Sequence, residues 1–220
     1  TFFVAGNCAK VWPELVAREV AEGHEVACHS YSHPSFVKLN DAGINAQMSR
    51  FEAVVLPLLG GRKVCWFRPP YGAINARVRS VVTHRGYRVV LWDVDTRDWT
   101  RPAAAVIANR ILSGAKDSKI VLLHDGGGDR SRTADALATV LPRLAAEGVQ
   151  MVTLSQLKGL EPLPQGELVI TEGGREWRGK PRSVEVTIGG QRLEKPLPAL
   201  AMDGHLLLAA GPVLRALGTE

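Results

Sequence analysis

Six short apolar runs, each separated from the next by a longer amphipathic stretch, set the limits on what this chain can fold into. The runs are Thr1 to Ala5, Glu25 to Cys28, Val64 to Phe67, Tyr87 to Asp93, Lys119 to His124 and Val149 to Thr153. Apolar runs of about four to eight residues suit strands, and the stretches between them carry helix start and stop signals. Pro13 opens a helix ending before Gly23, Asn40 caps one reaching about Leu59, Asn75 caps one ending before Gly86, and Pro102 opens one that stops near Gly114. A fifth, from about Arg132 to Glu147, contains Pro142 and should kink or break there, because proline removes a backbone donor. Alternation of this kind gives parallel strands, closed into a barrel or open and doubly wound. Six strands fall short of the eight of a full barrel. The expected α/β fold is a distorted, incomplete (β/α) barrel with parallel strands, lacking at least one unit before Thr1, where Thr1-Phe2-Phe3-Val4 reads as the middle of a strand.

The pattern changes after Leu160. Glu161-Pro162-Leu163-Pro164-Gln165-Gly166 reads as a linker, so residues 1–160 form one domain and residues 161–220 a small C-terminal α+β appendage, also expected to be truncated. In the appendage Leu168 to Thr171 and Ser183 to Ile188 are strand candidates, Gly189-Gly190 can close a hairpin, and a short apolar helix is expected around Pro212 to Leu217. No stretch approaches a membrane-spanning length. The net charge of +5 sits in the first region, with 20 Lys and Arg against 14 Asp and Glu in residues 1–160, but no basic run interleaves with aromatics. Nucleic acid is therefore not an expected partner. Cys8, Cys28 and Cys65 lack paired spacing and are expected to be buried free thiols.

Chemistry gathers where the strands end. His29-Ser30-Tyr31-Ser32-His33 places two imidazoles four apart, a spacing that on a helical turn puts both rings on one face where they can share a metal ion. Two satisfied or exposed histidines are the plain alternative. Arg68-Pro69-Pro70-Tyr71-Gly72 follows the third run, and its prolines fix an extended corner that can hold a guanidinium and a backbone N–H beside Tyr71. Asp93-Val94-Asp95-Thr96-Arg97-Asp98-Trp99 crowds three carboxylates at a strand end and lacks the glycine and distal glutamate of a calcium loop. Leu122-Leu123-His124-Asp125 runs into three glycines, which favours a ring facing an open site, while Trp66 reads as core.

In this order and spacing, His29-x-x-x-His33, Arg68-x-Pro70-Tyr71, Asp95-x-x-Asp98-Trp99 and Leu122-x-His124 resemble motifs two to five of the polysaccharide deacetylases, carbohydrate esterase family 4, over roughly Thr1 to Leu157. The resemblance implies a metal-dependent amidase that removes acetyl groups from an acetylated polysaccharide, such as N-acetylglucosamine of peptidoglycan or a chitin-like glycan, outside the cell or at its surface. It makes His29 and His33 ligands for zinc, or for cobalt or nickel in its place, and His124 the acid that protonates the leaving amine, with Asp98 orienting it and raising its pKa. It gives Arg68 the task of holding the catalytic base and the Tyr71 amide that of stabilising the oxyanion, with Trp99 and Leu122 lining the acetate pocket and Pro70 a further substrate-binding residue. The family's first motif, Thr-Phe-Asp-Asp-Gly-Pro, supplies the base and the third metal ligand, and no adjacent Asp-Asp pair occurs in these 220 residues. The chain alone is therefore expected to be inactive or nearly so.

Two other readings stand beside this one. A non-catalytic carbohydrate-binding or surface module would keep the groove with Trp99 and release no acetate. An unrelated zinc hydrolase would need a third ligand, with Asp95 and Asp125 the candidates. The tail, with Val186-Thr187-Ile188-Gly189-Gly190-Gln191, Met202-Asp203-Gly204-His205 and Pro212 to Gly218, is similar to the copper amine oxidase N-terminal-like modules of bacterial surface enzymes, and there His205 is expected in a turn instead of on a metal.

Overall fold

The computed structural model describes residues 1–115 and 119–157 in full, and the backbone of seven short strands between 168 and 208. The chain divides into two compact units, Thr1–Pro162 and Leu163–Glu220.

In the first unit the strands are β1 (Phe2–Val4), β2 (Val26–Cys28), β3 (Trp66–Phe67), β4 (Arg88–Val89), β5 (Val94–Asp95) and β6 (Val121–Leu122). The pairings among them are parallel, in the order β1-β2-β3-β4 and β5-β6. The strand expected over Tyr87 to Asp93 is bent. Its first half pairs with β3, where the Val90 amide donates to the Phe67 carbonyl at 3.0 Å, and its second half turns to β6, where the Asp93 amide donates to the Ile120 carbonyl at 2.9 Å. Neighbours in space are thus neighbours in sequence, without the reversal that marks a doubly wound sheet.

The strand expected at Val149 to Thr153 does not form. That segment is largely exposed and leads to a short 3₁₀ turn at Leu154–Gln156, closed by a capping box between Thr153 and Gln156. The turn is fastened to the N-terminal ends of β1 and β2, because the Leu154 amide donates to Thr1 Oγ1 at 2.9 Å and Ser155 Oγ donates to Glu25 Oε1.

Helices α1 (Gly6–Val11), α2 (Pro13–Ala21), α3 (Asp41–Val55), α4 (Ala76–His84), α5 (Ala104–Gly114) and α6 (Ser131–Ala146) flank the strands. Asn40 and Asn75 cap α3 and α4 as expected, accepting from Gly43 N at 2.8 Å and Val78 N at 2.9 Å. Helix α1 was not foreseen; Trp12, with φ −128° and ψ 59°, separates it from α2. Helix α6 runs through Pro142 as one element instead of breaking. The carbonyl deprived of its donor belongs to Ala138, an exposed residue, so water can replace the lost partner.

Strand alternation sorts the core into two faces. Val26, Cys28 and Phe67 point to the helices and join Phe36, Ile44, Met48, Phe51, Val55, Val78 and Val82. Ala27, Trp66 and Val90 point the other way and meet Leu154, with Trp66 Nε1 donating to Ser155 Oγ at 3.0 Å. A separate cluster of Ile107, Ile111, Ala136, Val140 and Leu144 joins α5 to α6. Of the three free cysteines only Cys28 is buried; Cys8 is exposed on α1, against expectation.

The described strands of the second unit pair antiparallel, with β7 (Leu168–Glu172) against β8 (Arg175–Gly179) and β12 (Leu197–Met202) between β9 (Arg182–Val184) and β13 (His205–Leu208). The short strands β10 (Thr187–Ile188) and β11 (Gln191–Arg192) place Ile188 opposite Gln191, the register of the expected two-residue hairpin. His205 opens a strand, opposite Met202, instead of lying in the turn. The linker at 161–166 and the helix expected around Pro212 to Leu217 lie outside the described residues.

Candidate active site

The site residues occupy the loops after β2, β3, β5 and β6, at the C-terminal ends of parallel strands. Backbone conformation sets these loops apart. Among the described residues, Ser30, His33, Tyr71, Arg97 and Arg101 have positive φ without being glycine, at 72°, 61°, 61°, 52° and 56°. A non-glycine residue is held there only when its surroundings over-determine it.

The His29 to His33 segment is a loop, so the helical spacing that suggested a shared face does not apply. Convergence is achieved by other means. With Ser30 and His33 left-handed, the chain folds back on itself, and Ser30 Oγ accepts from the His33 amide at 2.9 Å. The Gly6 and Asn7 amides of α1 donate to the Ser30 and Tyr31 carbonyls at 3.0 and 2.9 Å. From α3, Gln47 Oε1 accepts from the Tyr31 and Ser32 amides at 3.1 and 2.9 Å. Gly6 permits this close docking, since a Cβ there would meet Tyr31 Cδ2 at 2.8 Å. Gln47 was not singled out in the sequence, where a polar residue on an amphipathic helix carries no distinguishing signal.

His29 and His33 bring their Nε2 atoms to 3.1 Å. His29 Nδ1 lies 2.7 Å from the Arg68 carbonyl, which only accepts, so Nδ1 carries the proton and Nε2 presents its lone pair. Burial first, then the Arg68 charge, push the His29 pKa down to about 3, and the same two causes lower that of His33. Both rings are therefore neutral near pH 7, the form that binds a metal. Two nitrogens each about 2.0–2.1 Å from a tetrahedral ion stand roughly 3.3 Å apart, so the pair fits two ligand positions on one metal. No group of three His, Cys, Asp or Glu residues suited to a metal occurs among the described residues, and neither Asp95 nor Asp125 completes the set. Asp95 instead accepts from the Arg97 amide at 2.9 Å.

Arg68 and Tyr71 stand against this pair. The Tyr71 ring meets the His33 ring edge-on at 4.7 Å and is 71% exposed. Its amide takes no part in the hydrogen bonds from Gly72 N to Pro69 O and from Ala73 N to Pro70 O that close the turn, and Pro70 is buried beneath. The Arg68 guanidinium lies 4.5 Å over the Phe3 ring and forms no ion pair among the described residues. Burial lowers its pKa to about 10 against the opposing pull of Asp125 and Asp98.

Across the site, Asp98 is buried and saturated with donors. Its Oδ1 lies 2.7 Å from His124 Nδ1, and its Oδ2 accepts from the His124 amide at 2.7 Å and from Thr133 Oγ1 at 3.1 Å. Burial pushes the Asp98 carboxyl up, but the His124 and Thr133 hydrogen bonds outweigh it and hold the group below the usual range. An ionised Asp98 fixes the proton on His124 Nδ1 and leaves Nε2 for exchange with a substrate. Thr133, at the start of α6, is a second participant that sequence reading missed. Trp99 is 53% exposed beside Asp98, and Leu122 is buried, its carbonyl accepting from Thr96 Oγ1 at 2.7 Å. The charge of a protonated His124 is felt at both His29 and His33, which places the two halves in one electrostatic neighbourhood.

The chain has counterparts among known proteins. The polysaccharide deacetylase profile matches residues 1–90. A peptidoglycan-N-acetylglucosamine deacetylase of Bacillus cereus is 39% identical over 167 residues, covering 71% of this chain and 74% of the relative. The peptidoglycan-N-acetylglucosamine deacetylase PgdA of Listeria monocytogenes is 36% identical over 159 residues, covering 72% of this chain; the chain spans only 33% of that relative's length. The solved structure of the peptidoglycan deacetylase PdaC from Bacillus subtilis superposes with a TM-score of 0.66 at 34% identity, covering 73% of this chain and 76% of that one. Sequence and fold agree, and the chain belongs to the polysaccharide deacetylase family.

Proposed function

We propose that this chain carries most of a metal-dependent site that hydrolyses the N-acetyl groups of an extracellular or cell-surface polysaccharide, with N-acetylglucosamine of peptidoglycan or a chitin-like glycan as substrate. The observation that carries the reading is the approach of the two neutral His29 and His33 Nε2 atoms to 3.1 Å, with His29 locked in the required tautomer. The parallel strands are read as most of a distorted, incomplete barrel around that site. His29 and His33 would hold zinc, or cobalt or nickel in its place. Such an ion supplies Lewis-acid polarisation of an acetyl carbonyl and a more acidic water.

The chain's own groups do the rest. His124, oriented through Nδ1 by Asp98, delivers a proton from Nε2 to the departing amine. The Tyr71 amide, outside the hydrogen bonds of its turn, is available to the carbonyl oxygen as charge develops there. Arg68 carries a charge without an ion-pair partner among the described residues, able to orient a carboxylate base. Trp99 offers an exposed indole to the substrate, Leu122, which is buried, would give the acetate pocket an apolar wall, and the buried Pro70 is the further substrate-binding residue.

The 220 residues contain no adjacent aspartates to serve as base and third ligand, so the chain by itself is proposed to release little or no acetate. The test compares it with a version extended by an N-terminal strand bearing Thr-Phe-Asp-Asp-Gly-Pro, assayed with zinc on peptidoglycan, chitin oligomers and acetylxylan. Acetate release by the extended chain, lost in His29→Ala and His124→Ala, supports the reading. Glycan binding without release in both forms favours a non-catalytic surface module.

A further inference from the structure

Behind Asp98, on the side that carries Thr133, lies a cavity of about 210 Å³ lined by Asp98, Arg101, Asp129, Arg130, Arg132 and Thr133. Three guanidiniums face two carboxylates, and both carboxylates already have donors. Asp98 holds the His124 ring, the His124 amide and the Thr133 hydroxyl, while Asp129 Oδ1 accepts from the Ser131 amide at 2.9 Å. The cations are less fully hydrogen-bonded, although Arg101 and Arg132 lie close enough for their charge to act on Asp129. Arg130 clasps the glycine loop through Nε to the Gly126 carbonyl at 2.8 Å and Nη2 to the Gly127 carbonyl at 3.2 Å, leaving its Nη1 buried without a partner. Arg132 spends Nη1 on the Arg101 carbonyl at 2.6 Å. The Arg101 side chain makes no hydrogen bond among the described residues and is brought beside Gly128 by a left-handed backbone. The first turn of α6 adds little, since the Ser131, Thr133 and Ala134 amides are already used.

A buried guanidinium nitrogen without an acceptor is costly, and forked donors converging on a polar cavity match the geometry of an oxyanion. We propose that this cavity is an oxyanion subsite that takes a carboxylate carried by the substrate glycan, held by Arg101, Arg130 and Arg132. It deepens the deacetylase reading and rests on it for the identity of the glycan. It narrows the substrate class to acidic glycans, in which a carboxylate-bearing sugar neighbours the N-acetylated one. Asp98 forms one wall of the cavity and also holds His124, so an anion seated there lies one side chain away from the proton-transferring ring.

Binding tests this without turnover, so its failure is separable from failure of the deacetylase reading. Inorganic phosphate titrated into the full chain and followed by calorimetry should saturate, and Arg101→Gln should weaken it at least tenfold while leaving the unfolding midpoint unchanged. Arg79→Gln, an exposed arginine on α4, should bind as the parent does. A disaccharide of N-acetylglucosamine and N-acetylmuramic acid should displace the phosphate, and its carboxylate methyl ester should not. Absence of saturable phosphate binding, or binding indifferent to Arg101→Gln, overturns the subsite. Phosphate that the acidic disaccharide fails to displace, or that the ester displaces equally well, overturns the assignment to a glycan carboxylate.

Discussion

His29 Nε2 and His33 Nε2 lie 3.1 Å apart across a loop whose backbone is left-handed at Ser30 and His33. The convergence comes from Gly6, Asn7 and Gln47, which hold the loop's backbone from two helices, and from the Arg68 carbonyl, which fixes one ring. Metal affinity should therefore depend on residues that touch no metal. Replacing either histidine by alanine should weaken zinc binding by more than the roughly 10- to 100-fold typical of losing a supporting residue. Competition with a chromophoric chelator measures this, and zinc affinity indifferent to both substitutions would remove the pair from the site.

Gln47→Ala gives the corresponding test of the support. It deprives the Tyr31 and Ser32 amides of their acceptor while leaving both imidazoles in place, so zinc affinity should fall by about 10- to 100-fold. Its neighbours on the core face of α3, Ile44, Met48 and Phe51, are untouched. The loss in unfolding free energy should thus stay within about 1–2 kcal/mol, because the hydrogen bonds lost lie at or near the surface, where water can replace the partner. An equal fall in stability and affinity would show loop and core to be one cooperative unit.

Asp98→Asn preserves shape and turns one acceptor into a donor. An amide oriented to accept from His124 Nδ1–H turns its NH₂ towards the His124 backbone N–H, which cannot accept. One buried donor is left unpaired, which costs about 1–3 kcal/mol. Denaturant unfolding of the 220-residue chain should show that loss, and acetate release by the extended chain should fall about 100-fold or more. Unchanged stability would mean that the carboxylate is not held as described.

How much of this was legible in the sequence depends on whether the signal is local. Asn40, Asn75 and Pro13 act within one turn, and the helices they start were read correctly. The bend that divides Tyr87 to Asp93 between β3 and β6 depends on partners far along the chain, as does the failure of Val149 to Thr153 to find a strand to pair with. Within the site, His29, His33, Asp98 and His124 announce themselves by residue type and spacing. Gln47 and Thr133 do not, because what singles them out is the group they face.

Pro142→Ala tests the one place where helix α6 contradicts its own sequence. The new N–H can reach the Ala138 carbonyl, and the substitution lies on an exposed face, so no packing is lost. Proline restricts the unfolded chain, which offsets part of the gain by about 0.4–1 kcal/mol. A net stabilisation of about 1–2 kcal/mol should remain, read from the shift in urea midpoint at constant m-value. Destabilisation would indicate that α6 is shaped around the proline.

The buried, neutral His29 should also leave a mark on acid stability. Its folded pKa, about 3, lies below the ordinary histidine value near 6.5, so the unfolded chain binds a proton that the folded one refuses. Its contribution is complete above pH 6.5 and is lost as the pH falls from there towards 3, at up to about 1.4 kcal/mol per pH unit. His33 adds to the same trend, since its pKa is also lowered. Asp98 acts in a lower window, because its carboxyl sits below the usual value and its stabilisation is lost only as that group protonates. Unfolding free energy measured at pH 7, 6, 5 and 4.5 should therefore fall steadily, and His29→Gln, which cannot titrate, should flatten the slope. The same neutrality should make zinc affinity fall less between pH 7.5 and 5.5 than it would for ordinary histidine ligands, each of which loses about tenfold in its neutral fraction over that interval. A tenfold loss per histidine over that interval, or a His29→Gln slope as steep as the parent's, would show that the ring is not held neutral by burial and Arg68.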